Sequence, residues 1–260
     1  EKWSKNYFPT LSNPSSIRTI TAAYAHCNDL YSLRMKDIRA SHLEGAILNA
    51  QVGDSTKSRM KSLFNMMYKY AVAHDIVDKD YASVMFTNGN PIKKEPLKEA
   101  VPFSQEEILL LWDNYSAINF ADMVLVGIYS GWRPQELAIL KIKDIENDTM
   151  LGGLKTDAGK NRIVPIHPLI KPLIENRMKE AVSLHSEYLF NDSNGQQGIH
   201  ITYDKYRNRF EKVMKCLKLN HRPHETRHTF ITKAKACNVD EYTLKLIVGH
   251  AIVDITEKVY

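Results

Sequence analysis

Residues 87–102 read T-N-G-N-P-I-K-K-E-P-L-K-E-A-V-P, from Thr87 to Pro102. Three prolines and a glycine fall among charges of both signs, and such a stretch reads as a linker. It divides the 260 residues into an expected first domain over 1–86, the linker over 87–102 and a second domain over 103–260. A chain of this length is one large domain or two ordinary ones, and the linker favours two.

Upstream of the linker the apolar residues recur at helical spacing. Ile17, Ile20 and Tyr24 form one stripe, with Ser15 or Ser16 as N-cap. Leu43, Ala46, Ile47 and Ala50 form a second, over Ser41 to Ala50. The longest helix follows Asp54, with Met60, Leu63, Phe64, Met67, Tyr70 and Ala71 on its core side and Lys57, Arg59, Lys61 and Lys69 expected opposite. No strand-like alternation precedes residue 85, so the front domain is expected to be all-helical.

Downstream, Ser104 and Glu107 form a capping box ahead of Ile108, Leu109 and Leu111. A buried helix fits Phe120 to Tyr129, stopped by Gly131, and Pro134 begins a short helix to Leu140. Ile142–Ile145, Met150–Leu154 and Arg162–Ile166 suggest a small antiparallel sheet, with T-D-A-G-K-N as a turn. Helical spacing then returns over Leu169–Met178, Thr202–Leu217, His224–Ala236 and Asp240–Val248, with a short turn from Asp254. The fold class is mainly α: an all-helical domain and an α-rich domain carrying a small antiparallel sheet.

With 43% apolar and 25% charged residues, the chain is neither disordered nor collagen-like nor a disulfide scaffold. No apolar run reaches the ~18 residues that a membrane span needs, so no membrane partner is expected. Cys27, Cys216 and Cys237 show no Cys-x-x-Cys spacing, which points to a reducing compartment. Glu1 stands where a start Met would, with no apolar leader after it, and the expectation is a fragment of a cytosolic protein rather than a secretory precursor. Lys plus Arg exceed Asp plus Glu by 35 − 30 = 5. Residues 1–100 carry 14 basic and 10 acidic side chains against 21 and 20 in the remainder, which suits either a front domain that grips a polyanion or ordinary solvated helix faces.

The densest chemistry is H-E-T-R-H, residues 224–228, and it has two readings. His224, Glu225 and His228 match the H-E-x-x-H helix of zinc hydrolases, two imidazoles facing one metal with the glutamate as base. The longer metalloprotease pattern would place Gly at 231 and His at 234, where this chain has Ile231 and Ala234. The second reading pairs His224 with Arg227, one helical turn apart. It requires further functional residues elsewhere, and they are present. S-G-W-R-P-Q-E-L, residues 130–137, contains Arg133 and Glu136; I-V-G-H ends at His250; Lys155 lies at the edge of the hairpin; Tyr260 follows His250 by ten residues.

In Arg133, Lys155, His224 with Arg227, His250 and Tyr260, in that chain order, the sequence resembles the tyrosine recombinases, and among them the integrases of conjugative transposons. The resemblance implies a SAM-like helical core-binding domain ahead of a catalytic domain, and cleavage that uses neither metal, ATP nor other cofactor. A tyrosine oxygen, here of Tyr260, attacks a DNA phosphodiester and leaves a 3′-phosphotyrosyl link and a free 5′-hydroxyl, so the ester energy is conserved and the step is reversible. Arg133, Arg227 and His250 would clamp the nonbridging oxygens, since guanidinium is always charged and offers a planar fork of donors. Lys155 would protonate the departing 5′-oxygen, with Lys160 of the same hairpin as the alternative. His224 would serve as acid or base, Glu136 would brace Arg133 or His250, and His228 would be a bystander.

The implied partners are duplex recombination sites, three further copies of the chain in a tetramer on DNA that resolves through a Holliday junction, and an excisionase or DNA-bending factor. The implied setting is the bacterial cytoplasm and nucleoid, and the implied role is integration and excision of a mobile element. Lys57, Arg59 and Lys61 are candidates for DNA contact. Many relatives place the tyrosine nine residues after the Gly-His histidine, against ten here, and carry a tail beyond it. The zinc hydrolase and a non-catalytic DNA-binding protein remain as alternatives.

Overall fold

The computed structural model describes every residue except 1, 12–13, 88, 90, 93–98, 154–158, 193–197 and 251–260. Lys155, Tyr260, the turn expected from Asp254 and parts of the linker and hairpin turn lie outside the described residues. The chain divides into two compact units, Glu1–Lys98 and Glu99–Tyr260.

The first unit is built from α1 (Lys2–Tyr7), α2 (Pro14–Ala25), α3 (Ala40–Asn49) and α4 (Asp54–Ala73). Its core gathers Ala23, Leu43, Ala46, Ile47, Met60, Leu63, Phe64, Tyr68 and Ala71. Two expectations are corrected here. Tyr68, not Tyr70, is the fully buried aromatic of α4, its hydroxyl donating to Ile38 O at 3.1 Å. Tyr70 is half-buried and accepts from Asn6 Nδ2 at 2.8 Å. The basic residues also do not share one face opposite the core, because at ~100° per residue Lys57 and Lys61 fall along one flank of the apolar stripe, Arg59 on its other flank and Lys69 opposite. Lys57 and Lys61 are half-buried, the first donating to Leu48 O at 3.4 Å and the second lying 5.3 Å from the Phe86 ring centroid, whereas Arg59 is exposed.

The second unit comprises α5 (Gln105–Asn114), α6 (Ala121–Ser130), α7 (Pro134–Ala138), β1 (Ile145–Glu146), β2 (Thr149–Gly152), β3 (Arg162–Pro165), α8 (Lys171–Ser183), α9 (Tyr203–Leu217), α10 (Glu225–Ala236) and α11 (Glu241–Val248). The Ser104–Glu107 capping box forms as expected: Glu107 N donates to Ser104 Oγ at 3.2 Å and Ser104 N to Glu107 Oε2 at 2.7 Å. Helix α6, apolar on nearly all sides, is the buried centre of the unit, as such composition requires. The sheet is antiparallel in the order β1-β2-β3, with Met150 opposite Val164 and Gly152 opposite Arg162. Residues Ile142–Asp144, expected as strand, form a 3₁₀ turn instead, and β1 is left with two residues.

Candidate active site

Two left-handed turns and the start of one short helix assemble the site. At the end of α6, Gly131 adopts the left-handed conformation at φ 66°, and a Cβ there would lie 2.5 Å from Phe230 Cδ1. The turn presents Gly131 O to Arg227 Nη1, which donates to it at 2.8 Å. Two residues on, Arg133 occupies the N-cap of α7 with Pro134 at its first position. Glu136, third in that helix, reaches back so that Oε2 accepts from Arg133 N at 3.3 Å and Oε1 from Arg133 Nη1 at 3.1 Å. At the far end, α11 closes on Gly249, also left-handed at φ 66°, and His250 follows directly. A Cβ at 249 would stand 2.8 Å from Gly159 Cα, so this turn too accepts only glycine without displacement.

The last carbonyls of a helix lack intrahelical partners and carry partial negative charge. Here each of three successive carbonyls is claimed by a different guanidinium. Arg162 Nε donates to Ile247 O at 3.0 Å, Arg227 Nη2 to Val248 O, and Arg133 Nη2 to Gly249 O at 3.0 Å. Arg133 is thereby brought to Arg227 and to the Gly249–His250 step, which lie more than ninety residues later in the chain.

Glu136 is the carboxylate among them. It is 3% exposed and accepts from Arg162 Nη2 at 2.7 Å through Oε2. Burial, then the neighbouring Arg133 and Arg162 cations, pull the Arg227 guanidinium down to about 10, against which Glu136 acts in the opposite sense. Arg227 therefore stays charged at neutral pH. Partial desolvation and then the charges of Arg227 and Arg133 hold His250 below its usual 6.5, which leaves a neutral imidazole at pH 7. Arg133 keeps 15% of its side chain accessible and His250 is exposed, so the cationic cluster opens to solvent at these two residues. The arrangement suits an anion with several oxygens, such as a phosphodiester.

His224 is exposed at the residue preceding α10, one turn before Arg227. His228 is exposed on the next turn, and Lys160 is exposed within the hairpin, two residues before β3. Arg162 was not anticipated from the sequence. It has a signal nonetheless: strand alternation places it on the face of buried Val164, and a charged residue on the buried face of a strand needs partners. Trp132, 1% exposed, lies under it with the guanidinium 4.1 Å from the ring centroid.

The metal reading of H-E-T-R-H is not favoured. Glu225, 4% exposed, accepts from Arg222 N at 2.8 Å and lies 3.0 Å from His221 Nδ1, while His221 Nε2 lies 3.1 Å from Glu107 Oε2. His221 also stacks on Phe103 at 3.8 Å. The carboxylate that would act as base is thus committed to tying α10 to the cap of α5. Among the described residues no group of three His, Cys, Asp or Glu is placed to hold a metal ion.

Against known proteins, residues 101–260 match the phage integrase family. The chain belongs to that family. It is accordingly a tyrosine recombinase. A tyrosine recombinase XerC of Chlamydia caviae is 24% identical over 95% of this chain and 80% of its own length. XerA of Pyrococcus horikoshii is 29% identical over 54% of this chain and 50% of its own. Among solved structures, a lambda integrase tetramer bound to a Holliday junction superposes with TM-score 0.77 at 11% identity, covering 96% of this chain and 76% of that one. The Tn1549 transposon integrase in complex with circular intermediate DNA superposes with TM-score 0.75 at 19% identity, covering 99% and 93%. At such identities the likeness is one of fold, mainly helical with a small antiparallel sheet.

Proposed function

We propose that this recombinase integrates and excises a mobile element by cutting and rejoining DNA through Tyr260. The observation that carries the reading is the meeting of Arg133 and Arg227 at the end of α11, with His250 beside them. In this account Arg133, Arg227 and His250 hold the scissile phosphate, and neutral His250 serves as a hydrogen-bond donor. Tyr260 attacks phosphorus, Lys155 protonates the 5′-oxygen, and His224 assists as acid or base. Glu136 keeps Arg133 in place. Duplex DNA is the substrate, four copies act on two sites, and an excisionase or bending factor sets direction. The Tn1549 and lambda integrase neighbours, solved on transposon-circle DNA and a Holliday junction, support a mobile-element role. No described helix is long and apolar enough to cross a membrane, which accords with a protein that works on DNA in the cytoplasm.

The test is trapping on nicked duplexes of randomised sequence, in EDTA, followed by a denaturing gel. A covalent protein–DNA band that vanishes in Tyr260→Phe is the expected result. Binding without a band would leave a DNA-binding protein that does not cut, and cleavage abolished by the chelator would restore the metal reading.

A further inference from the structure

Of the three guanidiniums at the end of α11, two are accounted for by phosphate binding and one is not. Arg162 is buried, as Arg227 is, but each of its three guanidinium nitrogens already serves an acceptor, one of them the Glu136 carboxylate. Nε serves Ile247 O at 3.0 Å, Nη1 serves Gly159 O at 3.1 Å and Nη2 serves Glu136 Oε2 at 2.7 Å, while the plane covers Trp132. The side chain therefore ties four segments together: the hairpin at Gly159, the α7 carboxylate that holds Arg133, the end of α11, and Trp132.

Consider what an arriving phosphate does. Arg133 and Arg227 now donate to Gly249 O and Val248 O, and a phosphate would compete for these same N–H groups. Each donor given to DNA is one withdrawn from the helix end that carries His250. A buried residue that cannot be drawn to the phosphate would keep that end, and Glu136 with it, fixed while the other two reorient.

We propose that Arg162 is this positioning residue: a guanidinium that never touches DNA but fixes His250 and, through Glu136, Arg133 for the cleavage step. The proposal rests on the recombinase reading above. Losing such a support leaves the phosphate contacts available but misplaced, and misplacement of about 1 Å costs about 100-fold in rate.

The experiment compares wild type, Arg162→Gln and Arg162→Lys on the nicked duplex recovered from the randomised pool. The dissociation constant and the single-turnover rate of covalent-complex formation at saturating DNA are measured separately. Arg162→Gln is expected to lose about 100-fold in rate, with binding held within about threefold, and Arg162→Lys to recover about tenfold by keeping a charge against Glu136. A Gln variant that cleaves within about twofold of wild type overturns the proposal. So does equal loss of rate and affinity with Lys no better than Gln, which marks a purely structural residue.

Should the Gln variant fail to fold, the Lys variant decides, since full wild-type cleavage by it overturns the proposal equally. Amide exchange at Gly249 and His250 needs no cleavage. It is expected to quicken in the Lys variant and more so in the Gln variant, and unchanged exchange contradicts the positioning role even if wild type itself forms no covalent complex. Absence of that complex in wild type is the separate result that would remove the recombinase reading.

Discussion

Glu136 accepts from Arg162 Nη2 at 2.7 Å, and both side chains are almost wholly buried. A carboxylate in that position is tolerable only because it has cations on two sides, and the cations only because of it. Glu136→Gln should therefore lower the stability of the second unit by about 3 kcal/mol, a fall of about 10 °C in melting temperature. Urea unfolding followed by tryptophan fluorescence checks this, and a loss within measurement error would mean that the guanidiniums are stabilised from elsewhere.

Gly131→Ala brings two separable penalties, the positive φ and the approach to Phe230. The backbone part should be about 1–2 kcal/mol. Adding Phe230→Leu should relieve the contact and leave the backbone part, so the double variant is expected to be more stable than the sum of the singles predicts. Strict additivity would show that the ring yields freely.

His250 has its pKa depressed in the fold, so the unfolded chain binds its proton at higher pH than the folded one. The sign follows: folding is favoured fully above about 6.5, and stability declines as pH falls from there through the depressed value. The pH dependence of unfolding free energy should be shallower in His250→Asn than in wild type over that window, measured as a difference so that the remaining histidines cancel. An unchanged slope would place the proton elsewhere.

Arg59, exposed on α4, should contribute to DNA binding through phosphate, and Arg59→Ala should reduce the slope of log affinity against log salt by about 0.9. Lys61→Ala should change it less, since the Lys61 ammonium already lies over Phe86. Titration at several salt concentrations settles both.

Local signals were legible where one residue dictates one backbone event. The Ser104–Glu107 cap, the stop at Gly131 and the start at Pro134 need no tertiary context to form. The partners of Arg162 were not legible, because Glu136, Gly159 and Ile247 meet only after the hairpin register sets Gly152 opposite Arg162. Tyr70 was read as core because a coarse three-and-four count includes it; the axis of α4 instead turns Tyr68 inward. Lys57 and Lys61 went astray for the same reason: four apart, they share one flank of the apolar stripe, while Arg59, two from each, lies on the other flank. Glu225 could be read as a metal-site base only while His221 and Glu107 were out of view.

Arg133→Ala should reduce cleavage by about 100- to 1,000-fold and leave DNA affinity within a few fold, the pattern of a group that acts on developing charge. If affinity fell as far as rate, Arg133 would be a binding residue only.

The most direct measurement is to digest the trapped protein–DNA complex and identify by mass spectrometry the peptide that carries the nucleotide. The account predicts a phosphodiester to the phenolic oxygen of Tyr260, formed in EDTA, with a free 5′-hydroxyl on the other DNA end. Attachment at any other residue, or release of the DNA ends with no covalent link, would contradict it.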